Sequence, residues 1–339
     1  MTIDPVSPRQ VTIREVARRA GVSMMTVSRV IHHPAKVAEQ TRRRVLEAVE
    51  AIKYVPNLVG RSLVTNRTNL VAIVLPSIQN PVFADILRGM SDILRAEGYY
   101  LTLGTSSGSP QEEEKLITAL FSQRPDGILI HGSIHTRKTR QRLQAAALPV
   151  VETGNITTRP IDLQVGYSNF EAARQATRHL VDRGYRNIGC IHPATTWNDR
   201  SADRCRGFIA ALIEAGLPAG PEHLEETGYG LEHGAAALRR LLARQPNLDA
   251  VFCGGDIWAA GALFECQRMG LQVPGQLAIV GFDDLPIASQ VVPPLTTVRV
   301  PRNEIGRQAA GLLLDRIGGK MLSCRKIDVG FELIVRASA

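Results

Sequence analysis

From Leu70 onward the chain repeats one pattern, a short apolar run followed by a longer amphipathic segment, and that alternation leaves few folds open. Leu70–Leu75 reads as a buried strand. Phe83, Ile86, Leu87, Met90, Ile93 and Leu94 then recur at helical spacing as far as Gly98. Tyr99–Leu103 and Gly127–Ile130 read as strands, and between them Ser109-Pro110 opens a helix with a capping hydroxyl and a first-turn proline. Val150-Val151 and Gln164-Val165-Gly166 follow as short strand signals. Ser168 caps a helix reaching Gly184, and Ile188–Ile191 is the next strand. Helices fit 202–215, 230–244, 257–269 and Arg302–Ile317, with strands at 250–253, at 277–282 and within Ile327–Val335. Such alternation predicts parallel sheets covered by helices on both faces. Residues 69–339 are enough for two lobes of this kind. Ligands of open parallel sheets sit beyond the carboxyl ends of the strands, so two facing lobes predict a cleft.

The first sixty-seven residues are different. They hold twelve of the lysines and arginines against five acids, a surplus of seven out of a net charge of +8. A basic head on a nearly neutral body predicts a polyanionic partner for the head alone. Thr12-Ile13-Arg14-Glu15 is a capping box that starts a helix running to Ala20, with Ile13, Val16, Ala17 and Ala20 on one face. Gly21 stops it. Ser23 caps a second helix over about 24–32, ended by Pro34, and a third runs from about Glu39 to Ile52 with Val45, Leu46, Val49 and Ile52 inward. Two short helices joined by a glycine-containing turn, the second polar and basic, describe a helix-turn-helix.

The ordered string Thr12-Ile13-Arg14-Glu15-Val16-Ala17, Ala20-Gly21-Val22-Ser23, Thr26-Val27-Ser28-Arg29-Val30 and Tyr54-Val55-Pro56-Asn57 resembles the headpiece of the LacI/GalR family of transcription regulators. The resemblance implies a headpiece over 1–56, a hinge helix or linker over 57–68 and an effector-binding, dimerising body over 69–339. By it, Met24, Met25 and Arg29 fall on the positions that read base edges in the major groove. Arg29 would grip a guanine through two hydrogen bonds, and the methionines would pack on thymine methyls. Ser23, Thr26 and Ser28 are candidate phosphate contacts, and Thr12, Asn57 and Arg61 complete the expected DNA face. Leu63 matches the hinge leucine that such proteins wedge between central base pairs. Gly60 stands where the family usually has alanine, which weakens the hinge as a helix by roughly 1 kcal/mol.

Within the body, Pro76-Ser77-Ile78-Gln79-Asn80-Pro81-Val82-Phe83-Ala84, Asn169-Phe170-Glu171-Ala172-Ala173-Arg174-Gln175 and Phe264-Glu265-Cys266-Gln267-Arg268-Met269-Gly270-Leu271 resemble the gluconate-operon repressors of that family. The body is then similar to a two-lobed periplasmic-binding-protein fold whose chain crosses between lobes three times. Lobe one would take about 69–167 plus 299–326, and lobe two about 168–298 plus 327–339. Arg204 matches the family arginine that reaches into the cleft, and Asp256 the aspartate on the opposite wall, a donor fork facing an acceptor. Ser77, Phe83, His131, Asn155 and Trp197 follow strand ends and are further effector candidates. Asp283 and Asp284 are expected to brace the inter-lobe crossover rather than touch ligand.

No phosphate-binding loop, nucleophile elbow or His-Glu-x-x-His stands in the chain, so neither enzyme chemistry nor a cofactor or metal is expected. The five cysteines form no Cys-x-x-Cys pair and read as free thiols. Without a membrane-length apolar run or a signal sequence, the expected location is the cytoplasm, at the nucleoid. The function so predicted is a homodimeric repressor of sugar-acid genes that reads a pseudo-palindromic operator in double-stranded DNA under control of a small effector. A neutral sugar or a purine is the alternative effector. A solute-binding protein or enzyme with an incidental basic head is the alternative class.

Overall fold

The computed structural model describes residues 11–32, 34–54 and 67–339, in two compact units divided between Thr68 and Asn69. In the smaller unit three helices, α1 (Ile13–Ala20), α2 (Met24–His32) and α3 (Glu39–Ala51), enclose a core of Val16, Ala17, Ala20, Val27, Val30, Val45 and Ala48. The Glu15 carboxylate accepts from the Thr12 amide at 2.9 Å and from its hydroxyl at 3.3 Å, satisfying a donor that α1 cannot. Gly21 takes the left-handed conformation, φ 61°, that lets the chain turn within three residues into α2. There the Ser23 hydroxyl accepts from the Thr26 amide at 3.1 Å. Arg44 donates to the Ala20 carbonyl at 2.6 Å and ties α3 to the end of α1. Leu46, expected inward, is instead 51% exposed. The inward row is Val45, Ala48, Val49 and Ile52, at i, i+3, i+4 and i+7, and Leu46 lies one residue off it. The expected hinge residues Asn57, Gly60, Arg61 and Leu63 lie outside the described residues.

The larger unit contains two sheets, each of six strands among the described residues. Lobe one is built on β1 (Leu70–Leu75), β2 (Tyr100–Thr105), β3 (Gly127–His131), β4 (Val150–Asn155) and β5 (Leu163–Tyr167). Late in the chain β11 (Lys326–Asp328) joins them, in the order β11-β5-β4-β3-β1-β2 and parallel throughout. Lobe two uses β6 (Ile188–His192), β7 (Leu224–Glu226), β8 (Ala250–Cys253), β9 (Ala278–Asp283) and β10 (Thr296–Arg299). The antiparallel β12 (Glu332–Ile334) completes it, in the order β12-β10-β9-β8-β6-β7. Helices α4 (Val82–Ala96), α5 (Pro110–Ser122), α6 (Arg137–Ala145) and α12 (Arg302–Ile317) belong to lobe one. Helices α7 (Asn169–Asp182), α8 (Asp199–Glu214), α9 (Leu231–Arg244), α10 (Asp256–Met269) and α11 (Pro286–Gln290) belong to lobe two.

The chain passes between the lobes after β5, after β10 and after β11. Two boundaries therefore move from where the sequence put them. Arg299 ends β10 in lobe two, where it pairs with Asp283, rather than beginning the return to lobe one. Ile327 and Asp328 stay in lobe one, since their backbones pair with Val165 and Gly166. Close helix packing fixes the frame of each lobe. A Cβ on Gly306 of α12 would collide with the Ile86 carbonyl of α4, and one on Gly207 of α8 with the Phe170 carbonyl of α7. Beneath α8 the buried rings of Phe208, Phe252 and Phe282 pack at centroid distances of 6.2 and 6.4 Å, a rigid apolar floor that ends at the cleft.

Candidate functional site

The facing strand ends of the two lobes enclose a cleft of about 650 Å³. Of the residues singled out from sequence, Ser77, Phe83, His131, Trp197 and Arg204 line it. Asn155 and Asp256 do not.

Arg204, one turn into α8, lies with its guanidinium carbon 3.7 Å above the centre of the Phe282 ring. Its Nε donates to Asn169 Oδ1 at 2.8 Å, Nη1 to the Gly254 carbonyl at 2.6 Å and Nη2 to the Tyr167 hydroxyl at 3.1 Å. Asn155 works one step behind it. Its side chain donates to Asp203 at 2.7 Å and accepts from Asn169 at 3.3 Å, so it holds the residue that holds Arg204. His131 meets the edge of the Phe83 ring at 4.9 Å, and its Nδ1 is 3.1 Å from Thr153 Oγ1. Burial, with the nearby charges of Arg200 and Arg204, pushes its pKa well below the usual 6.5. It therefore offers the cleft a neutral ring. Trp197, half-exposed at φ 63°, stands on the rim.

Asp256 requires a correction. It is fully buried under the turn that follows β9, where Oδ2 accepts from the Leu285 amide at 2.6 Å and Oδ1 contacts the Thr297 hydroxyl at 2.6 Å. What it pins is a strained pair, Asp283 at φ 98° and Asp284 at φ 49°. Asp283, expected to brace the crossover, lines the cleft, with Oδ1 at 3.8 Å from Arg204 Nη2. Asp284 does the bracing, paired with Arg299 at 2.8 Å and Arg336 at 2.7 Å. Burial raises the Asp283 pKa, against the opposing charges of Arg204 and Arg302.

Burial also pushes Asp256 up to about 8, opposed by its two hydrogen bonds and reinforced by the charges of Asp283 and Asp284. The Thr297 hydroxyl donates to Oδ1 of the carboxylate, and in the protonated form that hydroxyl can instead accept from Oδ1–H. Asparagine reproduces both bonds, so Asp256→Asn should melt within about 1 kcal/mol of the parent near pH 7, whereas alanine, leaving the Leu285 amide unpaired, should cost about 1–3 kcal/mol. Because the folded pKa lies above the ordinary 3.8, the aspartate's contribution is full below that value and is lost as pH rises to about 8 and beyond. Melting curves at about pH 6 and about pH 9 check this: the Asp256→Asn variant should gain on the parent at the higher pH.

Sequence reasoning also missed Arg200 and Arg302, both cleft-lining. Arg302 begins α12, where Nε and Nη2 each donate to Asp85 Oδ2 at 3.0 Å and Nη1 donates to the Asp283 carbonyl. A signal for Arg200 was available, since it precedes Arg204 by four residues and so shares its helix face. In total, three guanidiniums and one carboxylate line the cleft among the described residues.

On α2, Met24 and Met25 are 47% and 71% exposed, Arg29 is exposed, and Ser28 and Thr26 are half-buried. The opposite side, Val27 and Val30, is in the core. Arg29 stands one turn beyond Met25, so the two share a solvent-facing strip. The Ser23 hydroxyl is engaged in the cap and the Thr12 hydroxyl with Glu15. Among the described residues no helix is long and apolar enough to cross a membrane.

Residues 12–57 match the family described as bacterial regulatory proteins of the lacI family, and residues 68–334 match the periplasmic binding proteins and sugar binding domain of LacI family. The HTH-type transcriptional regulator GntR of Pseudomonas aeruginosa is 37% identical, over 96% of this chain and 95% of its own. The HTH-type transcriptional repressor PurR of Erwinia tasmaniensis is 34% identical, over 96% of each. A LacI-family transcriptional regulator from Silicibacter pomeroyi superposes with a TM-score of 0.90 at 33% identity, over 97% of this chain and 99% of that one. The chain belongs to the LacI family: it is a DNA-binding transcriptional regulator and not an enzyme.

Proposed function

From that membership we propose a dimeric repressor that reads a pseudo-palindromic operator through α2 and is controlled by a gluconate-type sugar acid bound between the lobes. The observation that carries the effector class is the charge of the cleft wall, where Arg200, Arg204 and Arg302 face a single carboxylate, Asp283. Guanidinium forks suit a carboxylate, the neutral His131 and the Asp283 carboxylate suit hydroxyls, and Phe83 suits a carbon chain. The relative named GntR supports this reading. In the headpiece, Arg29 is proposed to read guanine and Met24 and Met25 thymine methyls, with Ser23, Thr26 and Ser28 near phosphates.

D-gluconate at about 100 times its Kd should stabilise the protein by about 2.7 kcal/mol, raising Tm by a few degrees, and should change operator affinity in a gel-shift titration. No thermal shift and an unchanged gel shift at millimolar gluconate would reject the effector class. The exposed Trp197 ring on the rim, together with the relative named PurR, supports a second reading, a stacked purine, which the same ligand panel separates.

A further inference from the structure

The hydrogen bonds of the three cleft arginines show which of them is spare. Arg204 has committed all three nitrogens, to Asn169, Gly254 and Tyr167. Arg302 has done the same, to Asp85 through two nitrogens and to the Asp283 carbonyl through the third. Arg200 has one hydrogen-bond acceptor among the described residues, Asp199 Oδ1 at 2.8 Å from Nη1. A guanidinium carries five N–H donors, so about four of them remain, including both on the edge formed by Nε and Nη2. That edge is the one that meets a carboxylate through two parallel bonds.

The placement of Arg200 is built rather than incidental. Its side chain, only 12% exposed, reaches from lobe two into a slot in lobe one left by two glycines, Gly132 just after β3 and Gly154 within β4. A Cβ on Gly132 (φ +120°) would stand 2.8 Å from Arg200 Nη1, and one on Gly154 (φ +103°) 3.0 Å from its Cδ. The anchoring carboxylate is itself held from lobe one, because Asp199 Oδ2 accepts from the Ser133 hydroxyl at 2.6 Å. Although burial pushes the Asp199 pKa up, Arg200 and Ser133 keep it below the usual carboxylate value, so the anchor stays charged at neutral pH.

We infer that Arg200 is the residue that selects an acid over the corresponding alcohol, its free Nε–Nη2 edge taking the effector carboxylate in a bidentate pair. This rests on the proposed sugar-acid effector and assigns to one residue the discrimination that the cleft as a whole was credited with. Every nitrogen of Arg204 and of Arg302 already holds a protein acceptor, so neither offers an edge with both nitrogens free, and the two shape the wall and its potential.

The test is calorimetry on the full chain with D-gluconate and D-glucitol, which differ only in a carboxylate against a hydroxymethyl group. The parent protein should prefer gluconate. Arg200→Ala should lose on the order of 100-fold in gluconate affinity and little in glucitol affinity, so that the preference collapses. Arg200→Lys, which keeps the charge without the fork, should fall between. Arg200→Gln, close in bulk, serves if the alanine protein fails to fold, and its preference should collapse likewise. A preference unchanged in these variants overturns the assignment, and so does an equal loss for both ligands, which would mean general damage to the cleft. If the parent protein itself binds no gluconate, the proposed effector falls and this inference with it, an outcome visible before any variant is made.

Discussion

Replacing Arg29 by alanine is expected to weaken operator binding by about 2–6 kcal/mol, since each lost bidentate guanine contact is worth about 1–3 kcal/mol and a dimer loses two. Binding to random duplex should change little, because that affinity comes from phosphate neutralisation by the headpiece's other cations. The location of Arg29 supports so large a share. It is exposed on α2, on the side opposite Val27 and Val30, one turn beyond an exposed methionine that offers no hydrogen bond. Lysine at this position restores charge but not the planar fork, so Arg29→Lys should recover non-specific affinity and little discrimination. Titrations of operator and scrambled duplex at two salt concentrations separate the two contributions. An alanine variant that still prefers its operator as the parent does would remove α2 from the role of reader.

The second large effect is expected at Arg204. Its removal uncovers the buried Asp283 carboxylate, and breaking a buried pair from one side costs about 3–5 kcal/mol. Three further acceptors, on Asn169, Gly254 and Tyr167, lose their donor, and Phe282 loses the cation above its ring. Effector response should disappear with it, since the cleft wall loses a guanidinium and the acceptors that it orders. The pH dependence follows in sign. The folded pKa of Asp283 already lies above its ordinary 3.8 because of burial, and loss of Arg204 raises it further. Stability of Arg204→Ala should therefore fall more steeply than the parent's as pH rises from about 4 into the neutral range. Denaturant titrations across that range check it, and parallel slopes for the two proteins would contradict the pairing.

Local signals carried much of this architecture. The Thr12–Glu15 box, the Gly21 turn and the Ser23 cap act through neighbours in sequence, and Leu70–Leu75 or Ala250–Cys253 read as buried strands because both faces of a parallel sheet are covered. What escaped was short or depended on distant packing. The strands β7 and β10 offer three or four residues each, too few for a period to show. The helix α6 carries four cations and almost no apolar row. Asp256 stands just after β8 and Asp283 at the end of β9, so strand-end position could not rank them. Their roles are decided by the turn after β9 folding over the start of α10, which buries one carboxylate and aims the other at the cleft. Arg200 could be placed beside Arg204 by its helix spacing, but the room it occupies is left by two glycines from the other lobe.

The triple passage of the chain between the lobes limits how such a protein can be altered. Neither lobe corresponds to one continuous stretch, so a gene crossover placed anywhere from about 170 to 325 would graft half of one lobe onto an unmatched partner. Sensing modules of this architecture should exchange between regulators only as an intact block from about Asn69 to the final strand, joined at the division between Thr68 and Asn69.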